Sequence, residues 1–420
     1  MTEQQNSLLG GYRILDLTDE MGLYCGRLLG DMGADVIKVE KPGGDPARNI
    51  GPFYHDKPHP EKSLFWYFMC MNKRGITLDI ETPDGREIFK KLAKGADFVI
   101  ESFLPGHMSH LGLGYTDLEM INRRIIMVSI TPFGQKGPYA NYKASDLTTW
   151  AMAGPMNLSG DPDRPPVQVS FPQAFLHAGA NAAVGALVAN HHCQISGEGQ
   201  HVDVSAQEAS SFVSMEAPAF WELLKFDVQR SGPGRDILLP KGRARIQFVY
   251  PCKDGHVFFL APGAAVMITA FRAWDKWLTS EGVSTEHLKA TGWPDLDFVN
   301  MTPQDFDMIK DSIGDFMITR TKAELYEESL KRDIPLVPVS TSEDVLENPQ
   351  LRERGYWIEV EHPDLGVNLT YPGPWAKVTE APLTSWRPAP LIGEHNEDIY
   401  GKELGFSAKQ MVILKQAGVI

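Results

Sequence analysis

Few side chains in these 420 residues stand at spacings that do chemistry unaided. His191, His192 and Cys193 are adjacent, so a helix aims them apart, and they read as a surface helix end rather than a metal-ligand set. Cys25, Cys70, Cys193 and Cys252 have neither metal-ligand nor redox spacing and read as four reduced thiols. No metal site is expected. Asp146, within KASDLTTWAMAG, is placed to cap the helix that follows it. Gln173 can hydrogen-bond a substrate carboxylate but cannot turn over, and His177 reads as a packed or substrate-facing histidine. Gly22, Gly26, Gly30 and Gly33 are too widely spaced for a G-x-G-x-x-G dinucleotide loop, and no G-x-x-x-x-G-K-[ST] phosphate loop occurs.

The elements that must position these groups alternate. Arg13–Thr18, Asp35–Glu40, Asp97–Glu101 and Ile125–Ile130 read as strands. Helices are expected at Met21–Met32, about 84–94 and about 116–123; Thr82 and Pro83 supply the N-cap and first position of the second. That alternation predicts a parallel, Rossmann-like α/β domain. His177–Asn190 is rich in Ala and Gly and predicts a buried helix approached closely by another backbone. His201–Ser205 reads as a strand and Ala206–Phe220 as one long helix. Beyond 220 the pattern changes, with Pro, Gly and basic residues between Gln229 and Arg245 and a strand at His256–Leu260. The expected organisation is a large domain over 1–220, a smaller α+β domain over 221–330, and a return to the large domain over 331–420.

Composition bounds the partners. The net charge of −14 argues against general nucleic-acid binding, which needs a basic surface to displace counterions. The polar N-terminus does not read as a signal peptide, and the apolar run Leu64–Met71 is too short to span a bilayer. A cytoplasmic protein without membrane partners is expected.

Five blocks carry a resemblance. They are GADVIKVEKPGGDPAR at 33–48, NKRGITLDI at 72–80, ESFLPGHMSHLGLGY at 101–115, SGEGQHVDVS at 196–205 and PAPLIGEHNEDI at 388–399. In type and order they resemble the family III CoA-transferases, the formyl-CoA and carnitine-CoA type. The resemblance implies an interlocked dimer of two ring-like chains and CoA thioesters as substrates, with no permanently bound cofactor. It also implies that CoA meets Lys41, Leu78, Ser102, Phe103, His110 and Lys143, with Leu78 and Phe103 sandwiching the adenine. Lys41 and Lys143 make physical sense there, because an acidic protein must supply local cations for phosphates. The family usually carries Asn where Ser102 stands and can carry Arg where His110 stands.

In such transferases an Asp attacks the thioester to give a mixed anhydride, and the departing thiolate returns to give an aspartyl-CoA thioester. The family places that Asp four residues before a Gly that matches Gly179, and the residue there is Phe175. No Asp or Glu occurs between Arg164 and Gln194, so no small shift of register restores it. No catalytic residue is therefore assigned. The related 2-methylacyl-CoA racemases use a His–Asp pair whose members would fall at Ser145 and Phe175, and both are missing. The expectation is the silent subunit of a hetero-oligomeric CoA-transferase whose homologous partner carries the Asp, acting on an acyl-CoA and a carboxylic acid. The aromatic, sulfur-rich LFWYFMCM run suits a bulky partner molecule, although such runs more often form core. The alternatives are a homodimeric transferase with an atypical nucleophile such as Asp146, and an acyl-CoA binding protein without catalysis.

Overall fold

The computed structural model describes residues 7–260, 264–297, 299–381, 383 and 386–420. Two compact units divide the chain. One comprises Met1–Met156, Gln168–Phe226 and Gln350–Ile420, and the other comprises Asn157–Val167 and Asp227–Pro349.

The first unit is built on strands that alternate with helices. In chain order they are β1 (Arg13–Leu17), α1 (Leu23–Asp31), β2 (Asp35–Glu40), α2 (Leu64–Cys70), β3 (Lys73–Thr77), α3 (Pro83–Lys94) and β4 (Phe98–Glu101). Then come α4 (His107–His110), α5 (Tyr115–Ile121), β5 (Ile126–Thr131), α6 (Asp146–Ala153), α7 (Ala174–Ser196), β6 (His201–Ser205), α8 (Ala206–Ser211) and α9 (Glu216–Leu224). The six strands form one parallel sheet in the order β3-β2-β1-β4-β5-β6. Strand order reverses between β1 and β4, which opens a crevice at the carboxyl ends of those strands.

Alternation along each strand feeds two cores. Ile14, Val36, Phe98, Ile100 and Val128 face the layer of α1 and α7. Leu15, Ile37, Val99 and Met127 face the layer of α3, α5 and the C-terminal residues Val419 and Ile420. The expected close approach of α7 is real. A Cβ on Gly179 would lie 2.9 Å from Tyr24 Cβ and 3.0 Å from the Cys25 backbone nitrogen of α1. The helix is not buried all round, however. Ala178, Ala182, Ala186 and Ala189 are buried, while Val184, Val188 and Ile195 are exposed. The single long helix expected over 206–220 is instead broken into α8, a 3₁₀ turn at Phe212–Ser214 and α9. The Thr82 N-cap holds as read, its Oγ1 accepting the Gly85 amide at 3.0 Å.

Edge strand β3 is covered by the chain's return. The His395 amide donates to the Gly75 carbonyl at 2.9 Å, the Thr77 amide donates to Asn396 Oδ1 at 2.9 Å, and the Tyr400 hydroxyl donates to the Thr77 carbonyl at 2.6 Å. The segment around 388–399 thus blunts the edge of the sheet. A hairpin of β12 (Trp357–His362) and β13 (Val367–Pro372) contributes Val360 and Tyr371 to a core with Trp66, Tyr67 and Cys70.

The second unit is α+β. It holds a hairpin, β7 (Gly234–Leu239) with β8 (Gly242–Gln247), and an antiparallel sheet ordered β11-β10-β9. These last strands are β9 (Val249–Cys252), β10 (Gly255–Phe259) and β11 (Leu336–Val339). Its core centres on Trp274 and Trp277, stacked at 4.9 Å between centroids.

All four cysteines are buried free thiols. Among the described residues no helix is long and apolar enough to cross a membrane, and no cluster of His, Cys, Asp and Glu is arranged to hold a metal.

Candidate active site at the start of helix α7

The start of α7 is set by a carboxylate from another element. Ser145 caps α6, its Oγ accepting the Thr148 amide at 3.4 Å. Asp146 follows in the first turn, but its carboxylate does not cap its own helix. Oδ1 accepts the Gln173 amide at 3.1 Å and Oδ2 accepts the Phe175 amide at 2.9 Å. Asp146 therefore caps α7, satisfying two of the four amide groups that a helix leaves unpaired at its start and placing a negative charge at its positive end. The expectation that Asp146 caps the following helix is corrected in this respect.

This contact brings together the positions the sequence singled out. Ser145, Asp146, Gln173 and Phe175 meet where α6 and α7 begin, and His177 stacks on Trp150 of α6 at 5.9 Å between centroids. The Phe175 side chain is 7 % exposed and packs in the core under α7. The carboxylate present is that of Asp146, and both of its oxygens already hold backbone amides.

Beside Phe175 lies an apolar cavity of about 290 Å³. Tyr24, Phe65, Phe68, Phe171 and Phe175 supply its aromatic wall, and Glu20 and Asp146 are the acidic residues on its lining. Burial pushes the Glu20 carboxyl above its ordinary range, and the neighbouring carboxylates Asp19, Asp146 and Asp45 push the same way. The LFWYFMCM run therefore divides by helical face. Leu64, Phe65, Phe68 and Met69 line the cavity, while Trp66, Tyr67 and Cys70 are buried in the core. Ser63 starts this helix, its Oγ accepting the Trp66 amide at 3.1 Å.

The residues assigned to CoA fall mostly at the carboxyl ends of the strands. Lys41 follows β2, Leu78 follows β3, and Ser102 and Phe103 follow β4. Across the β1–β4 crevice, Ser102 Oγ donates to Asp19 Oδ1 at 2.7 Å and accepts the Asp19 amide at 2.8 Å. The Phe103 ring is half-buried and meets the His107 ring at 4.7 Å. Leu78 is 1 % exposed inside the core, so in this conformation its side chain offers no open face to a base. Lys41 is exposed, with its ammonium 4.0 Å from Asp79 and 3.9 Å from Glu81. His110 and Lys143 are exposed, one at the end of α4 and the other in the loop before α6.

Sequence reading missed the buried charges under this edge. Asp16 and Lys73 form an ion pair at 2.7 Å with neither side chain exposed. Burial opposes the Asp16 charge, but Lys73 and Lys38 outweigh it and hold the carboxyl below its ordinary range. Arg48 pairs with Glu40 at 2.6 Å and lies 3.9 Å over the Trp66 ring. Glu101, the last residue of β4, is pushed up to about 7 by burial, against the hydrogen bonds of Ser129 and the Phe103 amide. Part of the signal was available: Asp16, Lys38, Glu40 and Glu101 are charged residues in otherwise apolar strand patterns, whereas Lys73 stands in the polar run Asn72-Lys73-Arg74.

The family model CoA-transferase family III matches residues 9–396. The chain belongs to the family III CoA-transferases. Succinyl-CoA:(R)-benzylsuccinate CoA-transferase subunit BbsE of Thauera aromatica is 36% identical over 97% of this chain and 97% of its own. Succinyl-CoA–D-citramalate CoA-transferase of Chloroflexus aurantiacus is 30% identical, covering 98% of each chain. Among solved structures, a CAIB/BAIF family protein from Brucella suis matches with a TM-score of 0.81 and 26% identity, covering 95% of this chain and all of that one. Three of the five sequence blocks contribute scaffold in this chain. The 72–80 block forms the β3 edge, the 388–399 block covers it, and the 33–48 block carries the Glu40–Arg48 pair.

Proposed function

We propose that this chain is the subunit without a nucleophile in a hetero-oligomeric CoA-transferase, moving CoA from succinyl-CoA to a substituted dicarboxylic acid of the (R)-benzylsuccinate kind. The observation that carries the reading is Phe175 in the first turn of α7, with Asp146 tied to its backbone. A phenyl ring forms no anhydride, and the adjacent carboxylate is engaged as a helix cap. The name of the Thauera relative, a subunit, fits the same division of labour.

The partner is a homologous chain that carries the Asp, and the two chains interlock. Supporting this, no residue of α9 is buried, and Trp221, Leu223 and Leu224 are exposed. CoA thioesters are substrates here, not resident cofactors, and CoA lies along the crevice with Ser102, Phe103 and Lys41. The complex works in the cytoplasm.

The test is exchange of CoA from succinyl-CoA to (R)-benzylsuccinate. The chain alone is expected to be inactive. Co-expression with its Asp-bearing homologue is expected to give activity that disappears when the partner's Asp is replaced. Robust exchange by this chain alone would overturn the reading and favour an atypical nucleophile. Tight CoA binding with no exchange in any complex would favour a binding protein.

A further inference from the structure

The cavity beside Phe175 can be assigned a ligand chemistry by its walls. It is bounded by Tyr24, Phe65, Phe68, Phe171, Phe175 and Leu176, and no Arg, Lys or His lines it among the described residues. The polar groups it does present include two carboxylates, Glu20 and Asp146. A free carboxylate brought into this space would meet like charge and no cation. Its size is generous for one ring: an apolar cavity of about 150 Å³ accepts benzene, and this one measures about 290 Å³.

We propose that this chain keeps a ligand pocket where its nucleophile is missing, and that the pocket takes the uncharged aryl end of an aryl-substituted acyl thioester while excluding free carboxylate groups. Phe175 is then a wall of the site. Aromatic faces and edges around one ring give offset and edge-on contacts beyond simple area burial. The two carboxylates set polarity: a dicarboxylic acid enters ring first and keeps its acid groups outside. The inference rests on the CoA-transferase subunit reading and gives the ring of its benzylsuccinate-type substrate a seat in this chain.

The experiment uses the full-length chain and small probes without CoA. S-ethyl 3-phenylpropanethioate, S-ethyl propanethioate and 3-phenylpropionate are titrated by ligand-observed NMR. The aryl thioester is expected to bind at least tenfold more tightly than either of the other two. Leu176→Trp, which fills the cavity from the first turn of α7, is expected to abolish that preference. Phe65→Ala, which enlarges it, is expected to shift preference toward the 2-naphthyl analogue and stands as the check if Leu176→Trp folds poorly. Equal binding of the phenylpropanoyl and propanoyl thioesters, tighter binding of the free acid, or preferences unmoved by both variants would overturn the pocket. A separate titration with CoA itself tests the subunit reading. CoA binding with no aryl preference sinks the pocket alone, whereas aryl preference without CoA binding sinks the CoA reading and leaves the pocket.

Discussion

The carboxylate of Asp146 holds the backbone amide of Phe175 at 2.9 Å. This one bond joins the residue that a sequence search would nominate as a substitute nucleophile to the position where the proposed function puts the missing one. On that proposal, it also explains how Phe is structurally tolerated at 175. The negative charge favoured at the start of a helix is supplied by Asp146 whatever the side chain at 175 is.

Asp146→Ala removes that cap and leaves two amides of α7 without their partner. Loss of a capping oxygen costs about 0.5–2 kcal/mol, and the upper part of that range is expected because two amides are involved. Asp146→Asn keeps one acceptor oxygen and should lose less. Urea denaturation of the three proteins checks the order. A destabilised Asn variant equal to Ala would mean that charge, not geometry, dominates.

The same geometry predicts chemical silence. After incubation with succinyl-CoA, treatment with hydroxylamine or borohydride would convert an aspartyl-CoA thioester to a hydroxamate or an alcohol, and peptide mapping is expected to find neither at Asp146. Both of its oxygens accept backbone hydrogen bonds, which stabilises the carboxylate and opposes its attack on a thioester. A stoichiometric label at Asp146 would make it the nucleophile.

Much of the scaffold was readable from sequence, and the reasons are local. Asp35–Glu40 and His201–Ser205 have the bounds that their apolar runs suggest, because each has a Gly turn beside it and a β-branched interior. The close approach at Gly179 was also readable from the small residues of its helix, and it is seen against Tyr24. The helix expected over 206–220 is interrupted just ahead of Pro218, which has no amide to donate to the Ser214 carbonyl and whose ring crowds it. Of the cavity only the LFWYFMCM wall was hinted at in the sequence. Its walls come from α1, α2, the segment before α7 and α7 itself, and only long-range packing brings Tyr24, Phe68 and Phe171 to one space.

Glu101 predicts a pH signature. Its carboxyl has an ordinary value of 4.5 and is pushed up to about 7 in the folded chain. Between those values the folded state keeps a proton that the unfolded state has released, so this residue's contribution is fully present at low pH and is lost as pH rises to about 7. The full shift corresponds to about 3 kcal/mol as an order of magnitude. Glu101→Gln removes the titration while keeping an acceptor for the Phe103 amide. Urea midpoints from pH 4.5 to 8.5 should fall less steeply with pH in the variant, which should be the more stable protein above pH 7. Parallel profiles for the two proteins would remove Glu101 as the cause.

The exposed helix α9 predicts where the proposed partner docks. Trp221 is 55 % exposed, Leu223 80 % and Leu224 66 %, with Phe212 and Met215 also exposed on the turn that precedes it. Isolated apolar side chains on a surface are ordinary, but a contiguous run of this size marks an interaction surface. Trp221→Glu with Leu224→Glu places two charges on it. Burying an unpaired carboxylate at an interface costs several kcal/mol, so assembly with the Asp-bearing chain should fail, as read by analytical ultracentrifugation and by lost CoA exchange. The isolated chain should unfold at nearly the same denaturant concentration, because these side chains make no core in it. Unchanged assembly in the double variant would place the interface elsewhere. Loss of stability without a partner would show instead that α9 packs against its own chain.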